Sequence, residues 1–212
     1  MWQSIIGLML VTLMPLALVK GFTILDNEYR DRIKLDKRSI IIIIACGIGF
    51  TVITFNMPKM IGTEHFLNYA FLTGYLIFMS YTDQKIKQLY SVVTVLVIIV
   101  ESVILALNIS KVTLDITVIT TIAVVLVLFV MSLFNWIGMG DVLIYTALAI
   151  YLTRYSMIPM ISLVMNILLT NLLFIISAII LKLAKIEKYK GKNRPLTLYI
   201  ALSTFICNLL LI

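Results

Sequence analysis

Charge is scarce in this chain. Only 13% of its 212 residues are Asp, Glu, Lys or Arg, while 62% are hydrophobic. A soluble domain carries about 25% charged residues and roughly 45–50% apolar ones. The polar material is too thin to coat a water-facing surface, so the surplus apolar surface must face lipid. Histidine is scarcer still, with His65 alone. That leaves no histidine among the acids and apolar runs for a Ser–His system, and it excludes a histidine-rich metal centre. Cys46 and Cys207 are the only cysteines, lie far apart inside apolar runs, and form no C-x-x-C pair. A structural zinc site takes about four N or S ligands, so no metal or other cofactor is expected. No disulfide framework is expected either, and both cysteines read as small apolar core residues.

Long apolar runs are abundant. Eight of them read as helices: 2–24, 39–55, 66–81, 91–107, 113–134, 141–152, 157–183 and 195–212. A membrane span takes about 20 residues, with a range of roughly 17–25. The sixth run is short and is expected to begin or end within the interface. The reading is an all-α, polytopic transmembrane bundle of about eight spans. It forms one membrane-embedded domain over residues 1–212, with a short charged loop at 26–38. The first run lacks a basic n-region and a small-residue cleavage pattern, so it is expected to stay as a helix.

The net charge of +7 would suggest nucleic-acid binding in a soluble protein. Its distribution says otherwise. Of the Lys and Arg residues, 13 fall in odd-numbered loops and 3 in even ones. The heaviest clusters are Arg30–Arg38 and Lys182–Arg194. The positive-inside rule then puts odd loops in the cytoplasm and both termini outside. No nucleic-acid partner is expected. The bilayer is, with anionic lipid touching the basic seventh loop.

Ten acids remain to supply chemistry. Asp26, Glu28, Asp31, Asp36, Glu64 and Glu187 fall in loops or at flanks, and Asp115 lies near an outer helix end. Glu101, Asp83 and Asp141 are at or inside apolar segments, where acids are costly and often functional. Asp141 ends Trp136-Ile-Gly-Met-Gly-Asp141. Gly138 and Gly140 would let the backbone leave helical geometry there, with Asp141 opening the sixth helix. Taken alone, Asp141 reads as a helix cap. Asp83, in Ser80-Tyr-Thr-Asp-Gln-Lys-Ile-Lys87, reads alone as a solvated charge at a helix exit. Glu101 more often reaches water or pairs internally than relays protons. Asn166, Thr170 and Asn171 read as interhelical hydrogen-bonding groups. The topology, however, places Asp83 and Asp141 at one membrane face, 58 residues apart in sequence. Two carboxylates in reach of one water can share a proton, one acting as general base and the other as general acid. No serine and lysine are placed to suggest a Ser–Lys dyad.

The element Gly138-Met-Gly-Asp141, preceded by an isolated Asp at an earlier helix end, resembles the prepilin peptidase family of bacterial aspartic peptidases. Tyr81-Thr-Asp-Gln-Lys-Ile-Lys-Gln-Leu89 looks like the first aspartate motif of that family. Arg194–Leu202 echoes a proline-led motif before its last helix. The resemblance spans roughly residues 66–202. Departures exist: Tyr90-Ser91 stands where a Pro-Asn or Pro-Asp pair is usual, and Leu143 where a lysine frequently follows the second Asp. Presenilin-like proteases share G-x-G-D, but their first Asp directly follows a Tyr, and here Thr82 intervenes.

The resemblance implies an endopeptidase in the bacterial cytoplasmic membrane. It would remove the basic leader of a prepilin or pseudopilin at the cytoplasmic face, with Asp83 and Asp141 as the catalytic pair. Gly138, Met139 and Gly140 would then offer unwound backbone to an extended peptide. Helix dipoles favour an ionised Asp141 as the base and a protonated Asp83 as its partner. Larger members of the family also methylate the new N-terminus and carry a cysteine-bearing loop after the first helix. The short, cysteine-free loop 26–38 makes methyltransfer unexpected here. The alternative is a non-catalytic membrane component, such as a transporter or secretion-assembly subunit, which would leave the two interface aspartates unexplained.

Overall fold

The computed structural model describes residues 2–25, 35–55, 64–86, 91–108, 116–156, 158–183 and 196–211. Most of the loop 26–38, the segment 184–195 and the connections carrying Lys59, Lys87, Lys111 and Asp115 lie outside the described residues, so the charges on those segments are not described. The described residues form eight α-helices: α1 (Trp2–Leu25), α2 (Lys37–Phe55), α3 (Glu64–Ile86), α4 (Ser91–Leu107), α5 (Ile116–Leu133), α6 (Met139–Tyr155), α7 (Pro159–Leu183) and α8 (Thr197–Leu211). The all-α expectation holds. Two stretches, residues 5–24 of α1 and 159–183 of α7, are long and apolar enough to cross a membrane by length and composition. The apolar stretches of α4, α5 and α8 are shorter; at 1.5 Å per residue, 17 residues reach only about 26 Å against a hydrocarbon core of about 30 Å.

Two boundaries depart from the sequence expectation in ways that matter. The third helix runs to Ile86, so Asp83 lies within its last turn rather than beyond it. The sixth starts at Met139 and ends at Tyr155. It has 17 residues, against the 12 of the apolar run read from the sequence.

The chain divides into two compact units, residues 1–88 and 89–212. In the first, α1 packs on both α2 and α3. Close approach requires glycine at three points, Gly7 against the Phe66 ring among them. A Cβ on Gly74 would stand 2.6 Å from the Leu10 carbonyl oxygen, and one on Gly47 would overlap the Thr12 side chain. In lipid such small-residue contacts let helix backbones gain the dispersion that apolar tails cannot provide. Gly74→Ala is expected to cost about 1–3 kcal/mol, because a backbone atom must move. Gly49→Ala, with nothing within 4 Å, is the control and should be neutral or slightly stabilising. Thermal unfolding in detergent micelles separates the two.

One end of the first unit is capped electrostatically. Asp36 is the N-cap of α2: its Oδ1 accepts the Ser39 backbone N–H at 2.8 Å. Its other carboxylate oxygen lies 3.9 Å from Lys85 Nζ on α3, and Lys85 also sits over the Tyr81 ring. Hydrogen bonds from Ser39, with the Lys85 charge behind them, hold the Asp36 carboxyl below the ordinary aspartate value. A depressed native pKa stabilises the fold above the unfolded value, about 3.9, and that contribution is lost as pH falls through the lowered native value. The parent's melting temperature should therefore fall further between pH 5 and pH 3 than that of Asp36→Asn, whose amide caps without titrating.

In the second unit α6 is central, packed by α4, α5 and α7, while α8 packs on α7. Val142, Ile144, Ala147, Leu148, Ala149 and Tyr151 of α6 are buried. The outer helices invert the soluble pattern. Ile119, Ile122 and Leu126 of α5 and Leu168, Leu172 and Ile175 of α7 are exposed, whereas Asn166, Thr170, Ser203 and Thr204 are buried. Apolar side chains outside and hydrogen-bonded polar ones inside suit a lipid solvent. Asn166 Nδ2 donates to Thr204 Oγ1 at 2.9 Å, and Thr170 and Ser203 hydroxyls pair at 2.6 Å. Asn171 differs from the expectation: it is exposed and its amide donates to the Ile167 carbonyl of its own turn. Glu101 is buried, 1% exposed, and so kept from lipid on a helix packed against α6. Cys207 is buried as expected, but Cys46 is exposed. An exposed thiol on an apolar helix is tolerated where the solvent is hydrocarbon.

Candidate active site

Asp83 belongs to the first unit and Asp141 to the second. Each is set by its own helix terminus.

Asp83 is not the solvated charge its sequence context suggested. It is 8% exposed and lies beside Thr82, which is wholly buried. Thr82 Oγ1 donates to the Met79 carbonyl at 3.0 Å and Ser80 Oγ to the Leu76 carbonyl at 2.7 Å. These back-bonds satisfy the neighbouring hydroxyls within the helix. Lys85, two residues on, is directed to Asp36 and Tyr81.

Asp141 is presented by a tight reversal after α5. Asn135 takes a left-handed conformation, φ 58. Its N–H donates to the Ser132 carbonyl at 3.0 Å, and the Trp136 N–H reaches back to the Met131 carbonyl at 3.1 Å. This pair of bonds is the Schellman stop, and asparagine is the non-glycine residue that best tolerates the left-handed region. Phe134 and Trp136 project outward with ring centroids 6.1 Å apart. Trp136 is 74% exposed, as expected of an interfacial anchor.

The chain then re-enters a helix at once. Gly138 is the N-cap, with extended backbone at φ −66 and ψ 136. Its carbonyl accepts the N–H groups of Asp141 at 3.0 Å and Val142 at 3.2 Å. Met139 and Gly140 are helical, so only Gly138 leaves helical geometry. Asp141 is thus the third helical residue rather than the cap. Gly138 is required for another reason. A Cβ there would lie 3.1 Å from Asp141 Oδ2, so the carboxylate folds over the space that the missing methyl leaves. The first-turn N–H groups of Met139 and Gly140 have no acceptor within the helix, and the positive helix end favours the ionised carboxylate.

A cavity in the second unit is lined by Leu148, Leu152, Ser162, Asn166, Thr204, Cys207 and Asn208. Its volume is about 10 Å³, room for about one water. It holds no peptide, and its α6 lining residues are two to three turns beyond Asp141.

A helical protein with apolar side chains outside, hydrogen-bonded polar ones inside and two helices long and apolar enough to cross a membrane falls in the class of membrane-associated helical proteins. The model of the type IV leader peptidase family matches residues 70–184, more than half of the chain, from α3 to α7. The chain belongs to that family. It is an aspartic-type endopeptidase that removes leaders from prepilin-like precursors, and the non-catalytic reading is set aside. No significant match to a curated protein or a solved structure accompanies this one. The matched segment contains both Asp83 and Asp141, while α1, α2 and α8 lie outside it.

Proposed function

We propose that Asp83 and Asp141 are the catalytic pair of this leader peptidase, acting at the cytoplasmic face of a bacterial inner membrane. The observation that carries this reading is positional. The family match encloses two acids that both occupy helix termini, Asp83 in the last turn of α3 and Asp141 in the first turn of α6. Helix termini lie where a spanning bundle meets the headgroups, and a leader that precedes an apolar helix offers its scissile bond at the same depth. In this reading residues 1–212 form one membrane domain, and all eight helices enter the bilayer. The shorter ones do so by local thinning or by flanking polar residues, at fractions of a kcal/mol per Å of mismatch.

The roles follow from the local fields. Asp141, at a positive helix end, is the base that takes a proton from water. Asp83, buried at a negative helix end, donates to the carbonyl oxygen; as the tetrahedral intermediate collapses it takes that proton back from the gem-diol hydroxyl, and Asp141 passes the proton it took from water to the leaving amine. The peptide is held by backbone groups of Gly138, Met139 and Gly140. Gly138 supplies extended backbone, and the other two supply first-turn N–H donors. The substrate is the basic leader and first apolar residues of a prepilin or pseudopilin.

Co-expression with a prepilin-like precursor, followed by gel mobility of the precursor, tests the reading. Cleavage should depend on both aspartates. A cysteine-accessibility scan tests the topology, with a cysteine at position 137 expected to react from the cytoplasmic side. Cleavage that survives Asp83→Asn or Asp141→Asn would remove that residue from the chemistry.

A further inference from the structure

The polar side chains of α7 and α8 meet along one seam inside the second unit. Ser177 and Tyr199 hydroxyls pair at 2.6 Å. Further along, Ser203 Oγ donates to Asn166 Oδ1 at 3.0 Å, and Asn166 Nδ2 donates to Thr204 Oγ1 at 2.9 Å. Thr204 Oγ1 passes its own proton to the Ile200 carbonyl at 2.7 Å. Each of these groups finds its partner directly.

One turn beyond Thr204 the direct pairing stops. Asn208 is 4% exposed. Its Nδ2 donates to the Thr204 carbonyl of its own helix at 3.0 Å, which settles the way the amide is turned. Its Oδ1 is then a buried acceptor with no partner among the described residues. Such an atom is costly unless something donates to it.

Asn208 lines the small cavity between α6, α7 and α8, together with Ser162, Asn166 and Thr204. All four are at least nine-tenths buried. The volume of about 10 Å³ suits one water and nothing larger. A cavity lined by leucines alone stays dry, whereas a water with two to four polar partners is held. Three such partners are at hand. Asn208 Oδ1 accepts. The Asn166 amide has two N–H groups and gives one to Thr204, which leaves the second as a donor. Ser162 Oγ pairs with Ser156 Oγ at 2.7 Å and keeps a lone pair for another proton.

We propose that this cavity is a binding site for one water molecule, which donates to Asn208 Oδ1 and Ser162 Oγ and accepts from Asn166 Nδ2. The water continues the α7–α8 seam where no side chain spans it. Ser156 is the C-cap of α6, its N–H donating to the Leu152 carbonyl at 2.8 Å. Through the Ser156–Ser162 pair the water therefore joins the end of α6 to α8, a helix outside the family-matched segment. The site stands independently of the roles of Asp83 and Asp141.

The test uses the full-length protein in lipid nanodiscs. Nuclear Overhauser transfer from water to the Asn166 side-chain amide is measured by NMR, and melting temperature is measured beside it. The parent should show the transfer. Asn208→Leu, an apolar group of similar volume, should abolish it and melt about 2–4 °C lower, because the water loses its acceptor and leaves Asn166 and Ser162 underpaired. A dry cavity predicts the opposite sign: removing an unpaired acceptor relieves its burial cost, and Asn208→Leu melts higher. That rise overturns the proposal, as does a parent without the transfer. Asn208→Leu keeps the Ser162 and Thr204 hydroxyls, so a transfer that persists in it comes from hydroxyl exchange and also overturns the site. If Asn208→Leu does not fold, Thr204→Val decides with the parent. It removes the hydroxyl bonded to the Asn166 amide; transfer that survives belongs to the water, and transfer lost with that hydroxyl overturns it.

Discussion

Asparagine at either Asp83 or Asp141 is expected to lower leader cleavage by roughly 10³-fold or more, with membrane insertion and melting temperature close to the parent's. The size follows from what each carboxyl contributes. A positioned general acid or base supplies about 10²–10⁴ in rate. Here one shared proton serves both roles, so losing either group stops the cycle. The double variant should be hardly slower than either single one, because groups that act as a unit are strongly non-additive. Asn fills the volume of Asp at both positions, which matters most at the buried Asp83, so a loss of rate here is not a loss of packing.

Gly138→Ala is the second large effect expected, and it is the more diagnostic of geometry. The backbone at Gly138, φ −66 and ψ 136, is open to any residue, so alanine introduces no backbone strain. The new methyl instead meets Asp141 Oδ2 at 3.1 Å. The carboxylate must give way by a few tenths of an ångström, or rotate. If it is the catalytic base, a shift of that size should lower kcat by about tenfold, given that about 1 Å of misplacement costs on the order of 10²-fold. Gly138→Val should lower it further. The stability cost is that of an alanine N-cap, about 1 kcal/mol or less, and a melting curve measures it separately. Gly140→Ala is the contrast. Gly140 is helical, and alanine there raises helix propensity by up to about 1 kcal/mol. A rate loss at 138 much greater than at 140 would tie the effect to the carboxylate. Equal losses would point to the peptide-binding backbone instead.

Much of this architecture follows from hydropathy and charge alone. The eight helices were legible because each is a long apolar run broken by turn or charge signals. The aspartates stood out because acids are rare in such a chain. The G-x-G-D element with its upstream Asp pointed to the family that the comparison then identified. Single residues were less legible. The sixth helix was expected to be short because hydropathy measures lipid exposure, and α6 is screened from lipid by three helices. Its Thr146, Thr153 and Arg154 lower its apolar average without ending it. Asn166 and Asn171 look alike in sequence; five residues of helix place them on different faces, so one joins α8 and the other bonds its own turn. Nothing local to Asp83 announced its burial. The role of Gly138 was read as backbone freedom, whereas the structure gives it to the space its missing methyl leaves for Asp141. The sequence by itself determined the membrane association of this protein and its helical class, since apolar content and charge scarcity are summed properties of the chain. Only the tertiary structure decided which polar groups face inward and which glycine makes room for which carboxylate, since those depend on contacts between helices and across turns that no local pattern encodes.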